Sequence, residues 1–312
     1  MGSPEFALPT LRGLIESEHL VVGVVTQPDR PAGRGRGLRP PPAKELARAH
    51  GLPVLQPERV NTPEALAALR ALAPDAIVIA AYGQILRQPL LDLPQRGALN
   101  VHASLLPKYR GAAPAAAAIL AGGQETGVSI LEVVRKLDAG PVLAQRPLPI
   151  EPHDTTGTLN EKLAALGAGL LIEVLPAWER GDHTAQPQDE AQASNAPSIQ
   201  REDAVIDWSL PAVDVWRRVR AYQPWPVATT SVGAEPLRIL EAWPITADPD
   251  APPGTVLPLP EAAEAPAGAG FAVRCGQGVL AVVRAQRAGR RALTGEELLR
   301  GFQGLLGKRL GN

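Results

Sequence analysis

Three polar residues in an otherwise apolar part of the chain could do chemistry together: Asn100, His102 and Asp138. Asn100 and His102 lie in GALNVHAS (97–104), which has the composition of a buried strand. Strand side chains alternate between faces, so these two share a face and can donate to one oxygen that gains negative charge. The alternative, that both side chains only satisfy nearby backbone groups, is about equally compatible with the pattern.

Asp138 lies in KLDAGPVL (136–143), a glycine-containing turn between segments 127–134 and 140–150, which are predicted to be paired strands. An aspartate in such a turn is ordinary by itself. If the turn folds over the strand that holds His102, its carboxylate could accept a proton or keep the imidazole charged.

The elements around these residues alternate between apolar strand patterns and helical patterns. The sequence predicts strands at 19–27, 74–83 and 97–104 and helices at 62–72, 112–123 and 155–181. Such alternation predicts a doubly wound, Rossmann-like α/β domain over residues 1–183, with ligands at the carboxyl ends of the strands.

The composition then changes. Residues 184–203 are polar and rich in Gln, Ala and Pro without any period, which is typical of a linker. Short β-like segments separated by turn residues follow, so residues 204–312 are predicted to form a small OB-like β-barrel. A short helix at 294–302, with Thr294 as its cap, is expected near the end.

Composition and charge narrow the function classes. The 312 residues include one cysteine, which excludes an internal disulfide framework and a cysteine-rich zinc site. No apolar run is long enough for a bilayer and no secretion signal is evident, so a cytoplasmic enzyme is expected. The net charge is −1, yet residues 28–50 carry +4 and residues 271–312 carry +6. Two basic segments indicate a polyanionic partner, although solvated surface faces are the commoner explanation of such runs.

Motifs around the polar residues resemble the folate-dependent formyltransferases. NVHASLLPKYRGAAP (100–114) followed by LDAGPVL (137–143) is similar to that family, as are stretches 2–11, 24–58, 196–209 and 218–228. The resemblance implies formyl transfer from 10-formyltetrahydrofolate to an amine, without a metal. It also implies that Asn100 and protonated His102 stabilise the oxyanion, while Asp138 keeps His102 cationic and helps to remove the amine proton.

The resemblance further implies binding residues. Tetrahydrofolate would contact Ser104, Leu105, Leu106 and Pro107, together with Ile85 and Leu86, which could equally be core residues. Residues 24–58 resemble a long basic insertion of one member of the family, and this resemblance implies methionyl initiator tRNA as the acceptor. The glycines and prolines of RPAGRGRGLR (30–39) in this basic insertion predict a mobile loop without helix or strand. The expected tRNA-binding residues are Arg30, Arg34, Arg36, Arg39, Lys44, Arg287 and Arg290.

Two rival functions stay open. One is formyl transfer to another amine, such as an amino sugar nucleotide, and the other is a tRNA-binding module without catalysis. A monomer is expected in either case.

The start of the chain departs from the family pattern. The resembled family has a strand before the Gly-Ser-Pro motif, whereas here Met1 directly precedes Gly2. The first strand therefore looks absent, and we expect either an upstream translation start or a sheet that lacks an inner strand. A chain without that strand is expected to be poorly soluble or unstable.

Overall fold

The computed structural model describes residues 1–32, 37–261 and 264–311, which divide into two compact units. The first unit contains residues 1–115, 124–150 and 158–197. The second contains residues 116–123, 151–157 and those from 198 onward.

The described residues form helices and strands throughout the chain. The helices are α1 (Ala7–Glu16), α2 (Pro42–Ala49), α3 (Pro63–Ala71), α4 (Gln88–Leu91), α5 (Pro114–Leu120), α6 (Thr156–Arg180), α7 (Ala212–Ala221) and α8 (Gly295–Gly301). The strands of the first unit are β1 (Val24–Val25), β2 (Arg30–Ala32), β3 (Gly37–Arg39), β4 (Val54–Leu55), β5 (Ile77–Ile79), β6 (Ala98–His102), β7 (Arg110–Gly111), β8 (Glu125–Glu132), β9 (Val142–Pro149) and β10 (Asn195–Ala196). Those of the second are β11 (Thr229–Val232), β12 (Glu235–Ile245), β13 (Val256–Leu257), β14 (Phe271–Arg274), β15 (Val279–Arg287) and β16 (Ala292–Thr294).

The main sheet of the first unit has the order β5-β6-β8-β9. β5 and β6 are parallel, with Ile79 opposite Asn100, whereas β8 runs antiparallel to both of its neighbours and places Ser129 opposite His102. β1 and β4 form a separate parallel pair. The Rossmann-like fold is thus confirmed, and the predicted strand pair on either side of Asp138 is the antiparallel β8–β9 hairpin.

Local sequence signals explain where the predicted helices begin. Thr62 caps α3 by accepting a hydrogen bond from the Ala65 amide at 3.3 Å, and Pro63 occupies the first helical position. Thr294 and Glu297 form a complete capping box at α8. The predicted helices at 62–72 and 294–302 are therefore confirmed, with ends shifted by a residue or so.

The basic insertion is more regular than its composition predicts. β2 and β3 pair antiparallel, with Arg30 opposite Arg39 and Pro31 opposite Leu38. The expectation that this segment contains no strand is therefore wrong, because a two-stranded hairpin tolerates proline at an edge position where its missing N–H is not needed. Residues 33–36 lie outside the described residues.

The two strand groups of the first unit border a cavity of about 390 Å³. Val24 and Val25 of β1 and Ile77 of β5 are among its lining residues, and Gly2 makes an isolated parallel bridge to Ala80.

The second unit is built on one antiparallel sheet. Its strand order is β11-β12-β15-β14-β13, with β16 pairing to β15. β12 is irregular near Glu241, where its register against β15 shifts, and such bulges help a sheet to curl. Phe271, Leu237 and Ile239 are fully buried in its core. The sheet is a curled half-barrel, which confirms the OB-like expectation.

The polar segment 184–203 is ordered rather than featureless. Gln186 pairs with Val142 through two backbone hydrogen bonds of 2.8 Å, and β10 pairs in parallel with β7. Residues up to 197 belong to the first unit and those from 198 to the second. Most of this segment is thus part of the fold of the first unit.

Candidate active site

His102 is buried at the end of β6, and each of its ring nitrogens faces an oxygen atom. Its side chain is 6% exposed, and Nε2 lies 3.0 Å from the carbonyl oxygen of Tyr109. A carbonyl can only accept, so Nε2 carries a hydrogen and donates it. Nδ1 lies 3.6 Å from Oδ2 of Asp138, which is close enough for an ion pair but too long for a good hydrogen bond.

Asp138 reaches the same place from the β8–β9 turn. Its Oδ1 accepts a hydrogen bond from Nδ2 of Asn100 at 3.3 Å, and its Oδ2 accepts one from the Gly111 amide at 2.9 Å. Its own backbone has φ of +48°, an uncommon left-handed conformation for a residue with a side chain. The structure thus brings Asn100, His102 and Asp138 together, and we call these three side chains the polar cluster.

The segment that follows β6 is fastened by a buried hydroxyl network. Ser129 donates to the Ser104 carbonyl at 2.7 Å and accepts from the Leu106 amide at 3.0 Å, while Gln145 donates to the Leu106 carbonyl at 2.8 Å. The Ser104 hydroxyl donates to the Lys108 carbonyl at 2.6 Å. The loop behind His102 is therefore fixed by side chains of β8 and β9.

These hydrogen bonds and the surrounding packing limit which residues of the loop can contact folate with their side chains. Ser104 is fully buried with its hydroxyl engaged, and the Leu106 side chain packs into an apolar cluster with Leu131 and Val142. Their side chains are therefore core, while Leu105 and Pro107 are partly exposed.

Ile85 and Leu86 differ from each other. Ile85 is 74% exposed, and its carbonyl is held by the side-chain amide of Asn61 at 2.8 Å. Leu86 packs against the apolar cluster that includes Val60 and Leu90. An exposed isoleucine on a fastened loop is suited to contact a flat apolar ligand, whereas Leu86 is only partly exposed and contributes to the packing of that cluster.

The sequence did not predict a second group of polar residues next to the Asp138 turn, which consists of Arg110, Gln188 and Glu190. The buried guanidinium of Arg110 donates to Oε1 of Gln188 at 2.8 and 3.0 Å and to both carboxylate oxygens of Glu190 at 3.0 and 3.1 Å. Hydrogen bonds from Arg110 and Lys136 lower the pKa of Glu190 to about 2. In the sequence, only the Arg110–Gly111 pair of the motif 100–114 pointed to this group. The polarity of residues 184–203 did not, because it is just as typical of a linker.

The expected RNA-binding residues of the first unit fall into different environments. Arg30 is exposed and pairs with Glu58 at 2.8 Å, and Arg39 is exposed on β3. Lys44 is only 7% exposed, and its ammonium group lies 2.7 Å from both carboxylate oxygens of Asp29. Lys44 is thus held in a buried ion pair, and its role in RNA binding stays a prediction. Arg34 and Arg36 lie outside the described residues.

In the second unit the two expected arginines also differ. Arg287 forms a bidentate pair with Glu235 at 2.7 Å, and its guanidinium lies 4.6 Å from the ring centroid of Phe302. Arg290 is exposed at the turn that follows β15. Of these two residues, Arg290 is thus the better placed to meet a phosphate.

Three further features bear on other kinds of function: metal binding, membrane insertion and a reactive cysteine. Among residues 1–32, 37–261 and 264–311, no group of three or more His, Cys, Asp or Glu side chains is placed to hold a metal ion. Within the same ranges no helix has the length and apolar character needed to cross a membrane. Burial raises the pKa of the Cys275 thiol to about 12, which makes it a poor nucleophile.

Fold and site together define the class of protein. The chain combines a Rossmann-like domain, in which an amide and an imidazole of β6 meet a carboxylate from the β8–β9 turn, with a half-barrel domain. Residues 1–175 match the model of the formyl transferase family, and residues 198–303 match that of the formyl transferase C-terminal domain. The chain belongs to the formyl transferase family.

Known proteins resemble the chain over its whole length. It is 46% identical over 310 residues to the methionyl-tRNA formyltransferase of Methylococcus capsulatus, covering 99% of this chain and 98% of that one. It is 45% identical to the methionyl-tRNA formyltransferase of Bacillus subtilis, covering 96% and 93%. Its fold resembles that of an N-formyltransferase from Helicobacter canadensis with folinic acid and dTDP-3-aminofucose, with a TM-score of 0.63 at 16% identity, covering 92% and 97%.

Proposed function

We propose that this chain acts as a methionyl-tRNA formyltransferase, which moves the formyl group of 10-formyltetrahydrofolate to the α-amino group of methionyl initiator tRNA. One observation carries the proposal: relatives of that name are 46% identical across the full length of the chain, whose polar cluster is assembled in the structure.

The reaction needs a neutral amine and a stabilised oxyanion. The α-amino group has a usual pKa near 8, so a nearby base favours its attacking form. Attack forms a bond from the amine nitrogen to the formyl carbon, and collapse breaks the bond from that carbon to N10 of the folate. The amine loses one proton and N10 gains one, so the transfer is balanced without an external proton donor.

The polar cluster supplies each of these needs. Asn100 binds Asp138 with one amide hydrogen at 3.3 Å, and its second amide hydrogen donates to the formyl oxygen. Nδ1 of protonated His102 donates to that same oxygen, because the 3.6 Å gap to Asp138 leaves its hydrogen uncommitted. The negative charge of Asp138 stabilises the imidazolium, and its carboxylate accepts the proton of the attacking amine.

Folate binding is assigned to the loops beside the cluster. Ile85, Leu105 and Pro107 offer apolar side-chain surface, while the buried Ser104 and Leu106 hold the loop in place through their hydrogen bonds with Ser129 and Gln145. A flat apolar slot with a few backbone donors and acceptors suits a pterin ring.

RNA binding is assigned to the exposed arginines of each unit. Arg30 and Arg39 of the β2–β3 hairpin and Arg290 of the second unit are exposed, so they can approach phosphates. Such contacts position an RNA without reading its sequence. The catalytic groups all come from one copy of the first unit, so a monomer is sufficient for the reaction.

The test compares acceptors with a labelled formyl donor. The wild-type chain is expected to formylate methionyl initiator tRNA and to leave an amino sugar nucleotide unmodified. Transfer to the amino sugar alone would assign the chain to that rival activity. Binding of tRNA without any transfer, unchanged in His102→Ala, would instead indicate a binding module.

A further inference from the structure

Two loops border the polar cluster, and one segment further along the chain forms hydrogen bonds with both of them. One loop, residues 103–112, provides the Tyr109 carbonyl for His102 and the Gly111 amide for Asp138. The other is the turn 133–141, which carries Asp138. The segment that contacts both is residues 186–196, which we call the brace.

The brace is anchored by its backbone at both ends. Gln186 exchanges two hydrogen bonds of 2.8 Å with Val142, just after the Asp138 turn. At the other end, the Ser194 carbonyl accepts from the Arg110 amide at 2.8 Å, and its hydroxyl accepts from the Tyr109 amide at 2.9 Å. The middle of the brace is thus held across the two loops.

Gln188 lies in that middle part and contacts the Asp138 turn directly. Its Nε2 donates to the Asp138 carbonyl at 2.8 Å and to the Gly140 carbonyl at 2.7 Å. These bonds hold the backbone where Asp138 adopts φ of +48°, a conformation that costs an ordinary residue about 1 kcal/mol or more. Without these two hydrogen bonds, the turn would be less stable in that conformation.

Arg110 and Glu190 fix the orientation of Gln188. Arg110 donates twice to Oε1 of Gln188, so the amide must present its NH2 group to the turn. Arg110 also binds Glu190, whose carboxylate is shared with Lys136 at 2.6 Å. The network therefore connects the residue before Gly111 with the turn that carries Asp138.

We propose that Gln188 is a positioning residue for formyl transfer, which keeps the Asp138 carboxylate between Asn100, His102 and the Gly111 amide. The expected loss of turnover rests on the proposed function, whereas the expected change in the position of Asp138 does not. Gln188 itself touches no substrate in this assignment and acts through Asp138.

The test uses two changes at Gln188 in the full chain. Gln188→Ala removes both bonds to the turn, and Gln188→Glu keeps the size and the partner for Arg110 but cannot donate to two carbonyls. Each is expected to lower kcat about 10- to 100-fold, since small displacements of a reacting group have effects of that size. The KM values for both substrates should change less than about 2-fold, because the binding surfaces are intact. Gln192→Ala is the matched control, because that side chain bonds only to Asp189 in the described structure.

A double-mutant cycle separates positioning from a general structural role. In an Asp138→Asn background, Gln188→Ala should lower kcat by less than about 3-fold, because the carboxylate that it positions is already gone. An equal loss in both backgrounds would overturn the proposal.

Hydrogen exchange gives a readout that does not depend on activity. The Gly111 amide donates to Asp138, so it should exchange faster in Gln188→Ala and at the wild-type rate in Gln192→Ala. Unchanged Gly111 exchange in Gln188→Ala would refute the positioning role even if kcat fell. An inactive wild-type chain would count against the proposed function, whereas Gly111 exchange would still decide the role of Gln188.

Discussion

The polar cluster and the β2–β3 hairpin both gather polar groups, but they hold them in opposite ways. His102 and Asp138 are 6% and 10% exposed, and each is tied to backbone groups of a neighbouring loop. On the hairpin, Arg30 is 62% exposed and pairs with a Glu58 that is 69% exposed. A transition state requires donors fixed in a dry environment, whereas a phosphate backbone can be met by mobile, solvated charges.

The difference leads to different expectations for mutation. A change in the polar cluster should remove turnover and leave binding, because its groups act on the reacting atoms. A change on the hairpin should weaken RNA binding in a salt-dependent way and leave the chemical step intact.

The largest effect is expected for His102→Ala. Loss of one oxyanion donor should lower kcat about 100- to 1000-fold, while the affinity for tRNA stays within about 2-fold of wild type. Single-turnover formylation and filter binding measure the two quantities. The control is His50→Ala, an exposed histidine after α2, and a comparable loss there would contradict the assignment.

The next effect concerns the turn that delivers Asp138. A Cβ added at Gly140 would lie 1.8 Å from the Glu132 carbonyl oxygen, which is backbone and cannot move aside freely. Gly140→Ala should therefore destabilise the fold by about 1–3 kcal/mol, as overpacking does, and lower kcat as well.

Urea unfolding measures that stability. The matched control is Gly169→Ala in α6, where an added Cβ meets nothing within 4 Å. There the replacement should stabilise by about 0.5–1 kcal/mol, because alanine is the better helix former. Equal stability of the two variants would show that the turn is not tightly packed.

A smaller effect is expected on the hairpin. Arg39→Ala should weaken tRNA binding several-fold and reduce the slope of log Kd against log salt concentration by about 1, as for one lost phosphate contact. Turnover at saturating tRNA should not change. Arg70→Ala, an exposed arginine in the last turn of α3, is the comparison, and an identical salt slope in all three proteins would remove Arg39 from the RNA surface.

The smallest effect is a pH dependence at the brace. Arg110 and Lys136 lower the pKa of Glu190 from its usual 4.5 to about 2, so the folded state holds the charged form more tightly than the unfolded state does. Its stabilising contribution is complete above about pH 4.5 and is lost as the pH falls towards 2. Thermal melts of wild type and Glu190→Gln should therefore differ more at pH 7 than at pH 3. A Tm difference that does not change with pH would show that the charge contributes nothing.

Local patterns in the sequence predicted the local parts of the site. The two-residue period of a strand was enough to place Asn100 and His102 on one face, and Thr62 and Thr294 identified the beginnings of two helices. These features depend on neighbours within a few residues, so they can be predicted from the local sequence.

The parts that the sequence did not predict depend on distant contacts. Gln188 meets Asp138 across 50 residues, and nothing near Gln188 distinguishes it from a residue in a linker. Lys44 was expected to bind RNA because its segment resembles the family's basic insertion, and that resemblance did not reveal its buried pair with Asp29, 15 residues earlier. The left-handed backbone of Asp138 is equally hidden, because a glycine would be the usual signal for it.

The brace has a consequence for the order in which the enzyme matures. A nascent or truncated chain that stops at residue 183 already contains every group assigned to the formyl oxygen and the amine. It lacks Gln186, Gln188 and Ser194, so the turn and the loop have no common anchor. Competence for formyl transfer should therefore arise only after roughly the next dozen residues have been added and folded back onto the sheet.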